Sequence, residues 1–179
     1  MAGKRPGGGQ VVLYDDDHYY LGSVLAELLV QEGRRVTFVT PAGEVANWAR
    51  NTLEQEKIQT RLLQLGVDIR PHRALARVSR GAAEIVCVFT GKRSSIACDS
   101  VLMVTARDPR DDLYLELEAR RAGWDGAGIV SVTLIGDAHA PGIIAAAVYA
   151  GHRYAQELDA EDIGDALPFK RDIAELAPL

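Results

Sequence analysis

The sequence predicts an α/β fold: a parallel sheet built from strand–helix–strand units, with a small antiparallel meander inserted in it. Three observations carry that expectation. A β-branched and apolar run, Val11 to Tyr14, is followed by a helix-periodic stretch and a second β-rich run, Arg35 to Thr40. Three short alternating runs come later, separated by Arg80-Gly81 and Gly91-Lys92, which is the pattern of successive hairpins. The apolar run Val101 to Thr105 then resumes the first pattern as a buried strand.

The elements follow in order. After Tyr14 a polar loop, Asp15-Asp16-Asp17-His18, leads into Leu21, Leu25, Leu28 and Leu29 at helical spacing, and Gly33 stops the helix. A crossover helix makes the strand at Arg35 to Thr40 parallel to the first. Glu44 to Leu65 places Val45, Ala49, Ile58, Leu62 and Leu65 along one helical face, with Asn51 and Thr52 as a candidate break and Gly66 as its stop. A short strand is expected at Val67 to Ile69, and the meander strands at Ala74 to Ser79, Ala83 to Phe89 and Ser94 to Cys98. Beyond Thr105 the pattern predicts a helix over Asp112 to Ala122, a Gly-rich break to Gly128, a strand over Ile129 to Ile135 and a helix over Gly142 to Leu158.

Size and composition bound the function. A chain of 179 residues fits one domain plus an appendage, and 47% hydrophobic with 25% charged residues is an ordinary globular balance. With a net charge of -5 and no long cationic run, the chain is a poor binder of a phosphate backbone, so no nucleic-acid partner is expected. Cys87 and Cys98 are the only cysteines, too few for an iron–sulfur or structural zinc site. Met1 to Gln10 lacks an apolar stretch, and no later run reaches the roughly 18 apolar residues of a membrane span. A cytoplasmic location without membrane contact is therefore expected.

Two loops are candidate sites. A dinucleotide pocket after the first strand needs glycines whose amides approach a pyrophosphate. Here the turn offers three carboxylates with Tyr19 and Tyr20, and the second strand ends in Thr40-Pro41 where a ribose-binding carboxylate would stand. The aspartates read as helix caps; a divalent cation on Asp15, Asp16, Asp17 and His18 is the sharper alternative, and the tyrosines suit a docking surface or a domain seam.

The second loop runs from Leu134 through Gly136, Asp137, Ala140, Pro141, Gly142 and Ile143. Gly136 ends a strand, Asp137 stands where a sugar hydroxyl could donate to it, and Ala140-Pro141-Gly142 opens a helix whose free amides can face an anion. A tightly packed strand and helix with Asp137 as a cap explains the same residues. His139 and His152 lack a nucleophile or paired carboxylate at useful spacing, and no catalytic residue and no metal ligand is assigned. Trp48 and Trp124 read as packing residues or as contacts to a neighbour.

The runs Val11 to Gly22, Val101 to Arg107, Ile135 to Gly142 and Gly151 to Ala155, with Pro168 to Arg171 at the tail, resemble the C-terminal nucleotide-binding region of the trimethylamine dehydrogenase family. Dimethylamine dehydrogenase, histamine dehydrogenase and 2,4-dienoyl-CoA reductase are relatives in that NADH:flavin oxidoreductase-like group. The resemblance implies a linker at residues 1–9 and, over 10–125, a Rossmann-like three-layer domain similar to the NAD(P) domain of glutathione-reductase-type flavoproteins, without NAD. Residues 126–179 would be the returning segment of an incomplete FAD-like domain, which in the amine dehydrogenases holds ADP.

It further implies a TIM-barrel flavin domain or subunit carrying FMN and a 4Fe-4S cluster, and an electron-transfer flavoprotein as the acceptor of the full enzyme. No cofactor is expected in the isolated chain, while ADP or FAD would bind with a partner through Gly136, Asp137 and Ala140 to Ile143. The acidic first turn sides with the amine dehydrogenases. The expected role is thus a non-catalytic domain or small subunit of an amine-type flavoprotein oxidoreductase, prone to self-association through Ile129 to Leu158. A free-standing scaffold of the same fold and an NAD(P)H-binding reductase module are the alternatives.

Overall fold

A computed structural model describes residues 6–158, so Pro168 to Arg171 lie outside the described residues. The backbone separates into two compact units that divide between Ala106 and Arg107. In the first unit β1 (Gln10–Asp15), β2 (Arg35–Val39), β3 (Asp68–Arg70) and β7 (Ser100–Val104) form a parallel sheet in the order β3-β2-β1-β7. The helices α1 (Leu21–Gln31) and α2 (Gln55–Gln64) supply the crossovers. β4 (Arg73–Ser79), β5 (Ala82–Cys87) and β6 (Arg93–Ala97) make the antiparallel meander.

β1 is buried on both faces, as a central parallel strand should be. Val11 and Leu13 pack with Leu29, Phe38 and Leu62 in the cluster shared with the helices. Val12 and Tyr14 belong to a second cluster with Ala83, Ile85 and Cys98 of the meander. Each such side chain, fully buried, contributes about 1.5–3 kcal/mol. Thus β1 joins two cores. β7 lies at the sheet's edge, which leaves Met103 56% exposed and the expected buried strand only half covered.

The helix expected over 44–65 is divided. Asn47–Thr52 is a 3-10 turn flanked by Ala46 and Leu53, both in left-handed backbone at φ 52° and 61°, and α2 begins only at Gln55. The Gln55 amide is buried and donates to the Val45 carbonyl at 3.1 Å and to Gln59 Oε1 at 3.0 Å. At the other end of the sheet the Asp99 carboxylate accepts the Gly9 and Gln10 amides, each at 2.8 Å, and Ser100 donates to the Gly7 carbonyl. Gly8, at φ 77°, must be glycine because a Cβ there would fall 2.1 Å from Asp99 Cβ. These residues of the expected linker are stitched to the start of β7.

The second unit holds α3 (Asp112–Ala119), α4 (Trp124–Ala127) and α5 (Ile144–Glu157). The helix expected to Ala122 stops at Ala119 and gives way to a 3-10 turn. Trp124 donates to the Leu117 carbonyl at 2.9 Å and lies under the Arg121 guanidinium, 5.2 Å from the ring centroid. The strand expected over Ile129 to Ile135 does not form. A strand exists by satisfying its backbone groups on a neighbour, and no described strand pairs with this segment, where Val130 is 96% exposed.

Space under α1 is tight at one point. A Cβ on Gly22 would fall 2.8 Å from Asp15 Cγ, and Asp15 is fully buried with nowhere to retreat. Gly22→Ala is expected to destabilise the chain by about 1–3 kcal/mol through overpacking. That cost should shrink in an Asp15→Ala background, where the carboxylate is gone, and a double-mutant cycle by urea denaturation measures the coupling. Additive losses would show that the two residues do not compete for the same space.

Candidate functional site

The first candidate region is the turn at the carboxyl ends of β1 and β2, where ligands bind in doubly wound sheets. Asp15 follows the alternation of β1 and turns inward beneath α1; its side chain is 0% exposed. Oδ1 accepts one long hydrogen bond, 3.3 Å, from the Asp17 amide, and Oδ2 is buried with no partner. Burial pushes this carboxyl from 3.8 up to about 6, against the Asp17 amide and the charge of His18, which pull it down. The expectation that the aspartates cap α1 fails: Tyr20 is the cap residue and no side chain bonds the free amides.

His18 closes the turn. It sits at φ 59°, with Nε2 3.1 Å from Asp16 Oδ1, Nδ1 3.5 Å from Thr40 Oγ1, and its carbonyl accepting the Trp48 amide at 2.9 Å. The turn is thereby tied to the end of β2. Among the described residues no three His, Cys, Asp or Glu side chains are placed to hold a metal ion, because alternation sends Asp15 inward while Asp16 turns to His18.

The second region is the loop before α5. Gly136 has φ 57° and begins a 3-10 turn in which its carbonyl accepts the His139 and Ala140 amides. Asp137 Oδ1 accepts the Gly142 amide at 3.1 Å, closing the loop ahead of the helix. Ile143 is the cap residue of α5, in extended backbone, so the helix starts at Ile144 instead of Gly142. The amides of Ile144 and Ala145, first in the helix, have no intrahelical acceptor.

Beside this loop lies an open concavity of about 630 Å³, within the range of ligand sites. Gly136 and Ala140 line it; Asp137, Pro141, Gly142 and Ile143 do not. Its other wall is a face of α5 with Tyr149, Arg153 and Glu157, four residues apart, and Arg153 pairs with Glu157 at 2.8 Å. That spacing was present in the sequence and is the signal that finds them. His139 lines the concavity, whereas His152 meets Gln156 at 3.0 Å on α5.

The buried carboxyl sets a pH dependence. Its folded value, about 6, is above the unfolded 3.8, so the folded state binds the proton more tightly and gains stability as pH falls through about 6. At neutral pH the ionised form costs about 2–3 kcal/mol, at about 1.4 kcal/mol per unit. Asp15→Asn is therefore expected to raise the unfolding midpoint at about pH 7.5, with the gain shrinking as pH falls below about 6 and nearly gone at about pH 4. An equal gain at both pH values would mean that Asp15 does not titrate in this window.

Comparison with known proteins fits this architecture. Residues 1–111 match the family described as the OYE-like second alpha/beta domain. The chain is 33% identical over 188 residues to dimethylamine dehydrogenase of Hyphomicrobium sp. (strain x), covering 95% of this chain and 25% of that protein. The solved structure of histamine dehydrogenase from Rhizobium sp. 4-9 superposes with a TM-score of 0.87 at 54% identity, over 97% of this chain and 26% of the other. 6-Hydroxypseudooxynicotine amine oxidase from Pseudomonas geniculata N1 gives 0.76 at 35% identity, over 83% and 22%. The chain spans about a quarter of the length of these relatives. Matched over more than half of its length, it belongs to the OYE-like second alpha/beta domain family.

Proposed function

We propose that this chain serves as a non-catalytic, nucleotide-binding-like domain of an amine-dehydrogenase-type flavoprotein oxidoreductase, supporting its assembly and completing an ADP or FAD site. One observation carries the reading. From Arg107 to Leu158 the only buried residue is Trp124, while Val130, Ile144, Val148 and Tyr149 are 65–96% exposed. Among the described residues such a segment has no core of its own, and its apolar surface calls for cover by further protein. The 54% identity to histamine dehydrogenase, with the chain spanning 26% of it, supports an oxidoreductase as the source of that cover.

The residues fit an adenine nucleotide in part. The concavity has the size and apolar walls for a nucleoside, through Leu134, Ile135 and Tyr149, and the first amides of α5 can face a phosphate. The Gly142 amide is already taken by Asp137, so Asp137 shapes the loop as well as standing near it. ADP would be a structural ligand; FAD would add flavin redox chemistry. FMN and a 4Fe-4S cluster belong in this proposal to a TIM-barrel domain or subunit, and an electron-transfer flavoprotein would accept the electrons.

The first turn speaks against the NAD(P)H-binding alternative. A pyrophosphate there would meet the buried Asp15 carboxylate and the Asp16–His18 pair, where a competent turn offers backbone donors. The same fold similar to glutathione-reductase-type NAD(P) domains would then act as a scaffold. The purified chain should show no saturable change in NADH fluorescence up to about 1 mM, an affinity of about 4 kcal/mol.

Light scattering during size exclusion tests the half-built second unit. The full chain is expected to associate over micromolar concentrations, and a truncation after Ala106 to remain folded and monomeric. A full chain that stays monomeric throughout, with α5 amides protected from hydrogen exchange, would sink the reading. With the barrel partner present, Asp137→Ala, which frees the Gly142 amide and loosens this exposed loop, should weaken ADP by about 0.5–1.5 kcal/mol; unchanged affinity assigns the loop to packing.

A further inference from the structure

The meander carries a charge that the rest of the chain does not. From Arg73 to Ala97, across β4 to β6, lie five of the chain's 20 lysines and arginines and one of its 25 carboxylates, Glu84. The segment is therefore +4 in a chain of -5, and the remainder is -9. Register places Arg77 and Arg93 on the outward face, on either side of Glu84: Arg77 stands opposite it on β4, and Arg93 reaches it at 2.8 Å from β6. One carboxylate thus answers two arginines. Arg80 at the β4–β5 turn, Lys92 at the β5–β6 turn and Arg77 itself are exposed, and their side chains form no ion pair with a described residue.

Apart from Val86, the outward positions between these cations are small or short, Ala74, Ser79, Ala82 and Ser95, so a facing surface can approach closely. Phe89, 76% exposed in the β5–β6 turn, adds an apolar anchor that leans on His72 at 5.1 Å. Arginines with an exposed aromatic are the residues that dominate protein interfaces. A long nucleic-acid duplex would extend past the patch, where the chain is acidic. A protein surface engages only the patch, because charges beyond about 8–10 Å are screened at physiological salt. We propose that the outward face of the β4–β5–β6 meander docks an acidic surface of a separate protein, through Arg77, Arg80 and Lys92 around the Phe89 anchor.

The test uses the full 179-residue chain and a short fluorescein-labelled glutamate-rich peptide, no longer than the patch, as the acidic probe, read by anisotropy at several salt concentrations. Saturable binding that weakens with salt is expected, falling about tenfold or more in the triple variant Arg77→Glu, Arg80→Glu, Lys92→Glu. All three side chains are exposed, and circular dichroism reports that the variant stays folded. Lys57→Glu, an exposed cation of α2, should leave binding within about twofold. Equal binding by the triple variant, or an equal loss in Lys57→Glu, overturns the proposal. So does tighter binding of duplex DNA or phosphatidylserine vesicles than of the peptide. Self-association abolished by the triple reversal would also overturn it, by assigning the face to a second copy of this chain.

Discussion

The burial of β1 on both faces is the constraint from which the first unit follows. Val11 and Leu13 point to the helices and Val12 and Tyr14 to the meander, so a slip of one residue would exchange the two cores. That register fixes β2 and β7 on either side, pairing Val11 with Val36 and with Ser100. It also decides the fate of the next residue. Asp15 continues the odd-numbered series and is carried beneath α1, where a carboxylate is a costly occupant. Gly22 leaves the room it needs. In the turn that results, His18 meets Asp16 and Thr40, so these side chains are engaged with one another.

Much of this was legible in the sequence because β1, β2, the meander strands and α1 each repeat one period between clear stops. What was not legible has physical reasons. The candidate break at Asn51 and Thr52 falls at the end of the 3-10 turn, but Ala46 and Leu53 adopt left-handed backbone without being glycine, so nothing in their side chains announces the bounds of that turn. The Ile129 to Ile135 segment has a strand's composition, but composition states what a segment could pair with and not whether the pair is present. The three aspartates looked alike as a loop, yet extending the alternation by one residue past Tyr14 places Asp15 inside. Tyr149, Arg153 and Glu157 share one face of α5 by spacing alone, a signal that the reading of the loop residues passed over.

Charge is distributed as unevenly as burial. The meander is basic and the remainder acidic, so the net figure that argues against nucleic acid conceals a local surface of the opposite sign. Net charge governs encounters at distances where the patches blur together, whereas contact surfaces sense only what lies within a Debye length. Both statements therefore hold for one chain. The reading of composition bounds the class of partner, and the register of the strands locates where a partner of the other class could sit.

The two units differ in the kind of stability open to them. The first has two clusters of fully buried side chains and a stitched amino-terminal edge; its stability is its own. Among its described residues the second has Trp124 as its one buried side chain and an α5 without a buried residue. Conformational entropy of about 1–2 kcal/mol per ordered residue opposes its order, and little apolar burial inside it offsets that. Any ligand or surface that binds only the ordered form adds RT ln(1 + [L]/Kd) to its stability. A nucleotide in the concavity beside Gly136 would therefore act on the segment from Ile129 to Leu158 first as a fold-completing element. Its occupancy and the docking of covering protein would be positively coupled, each lowering the ordering cost that the other must meet.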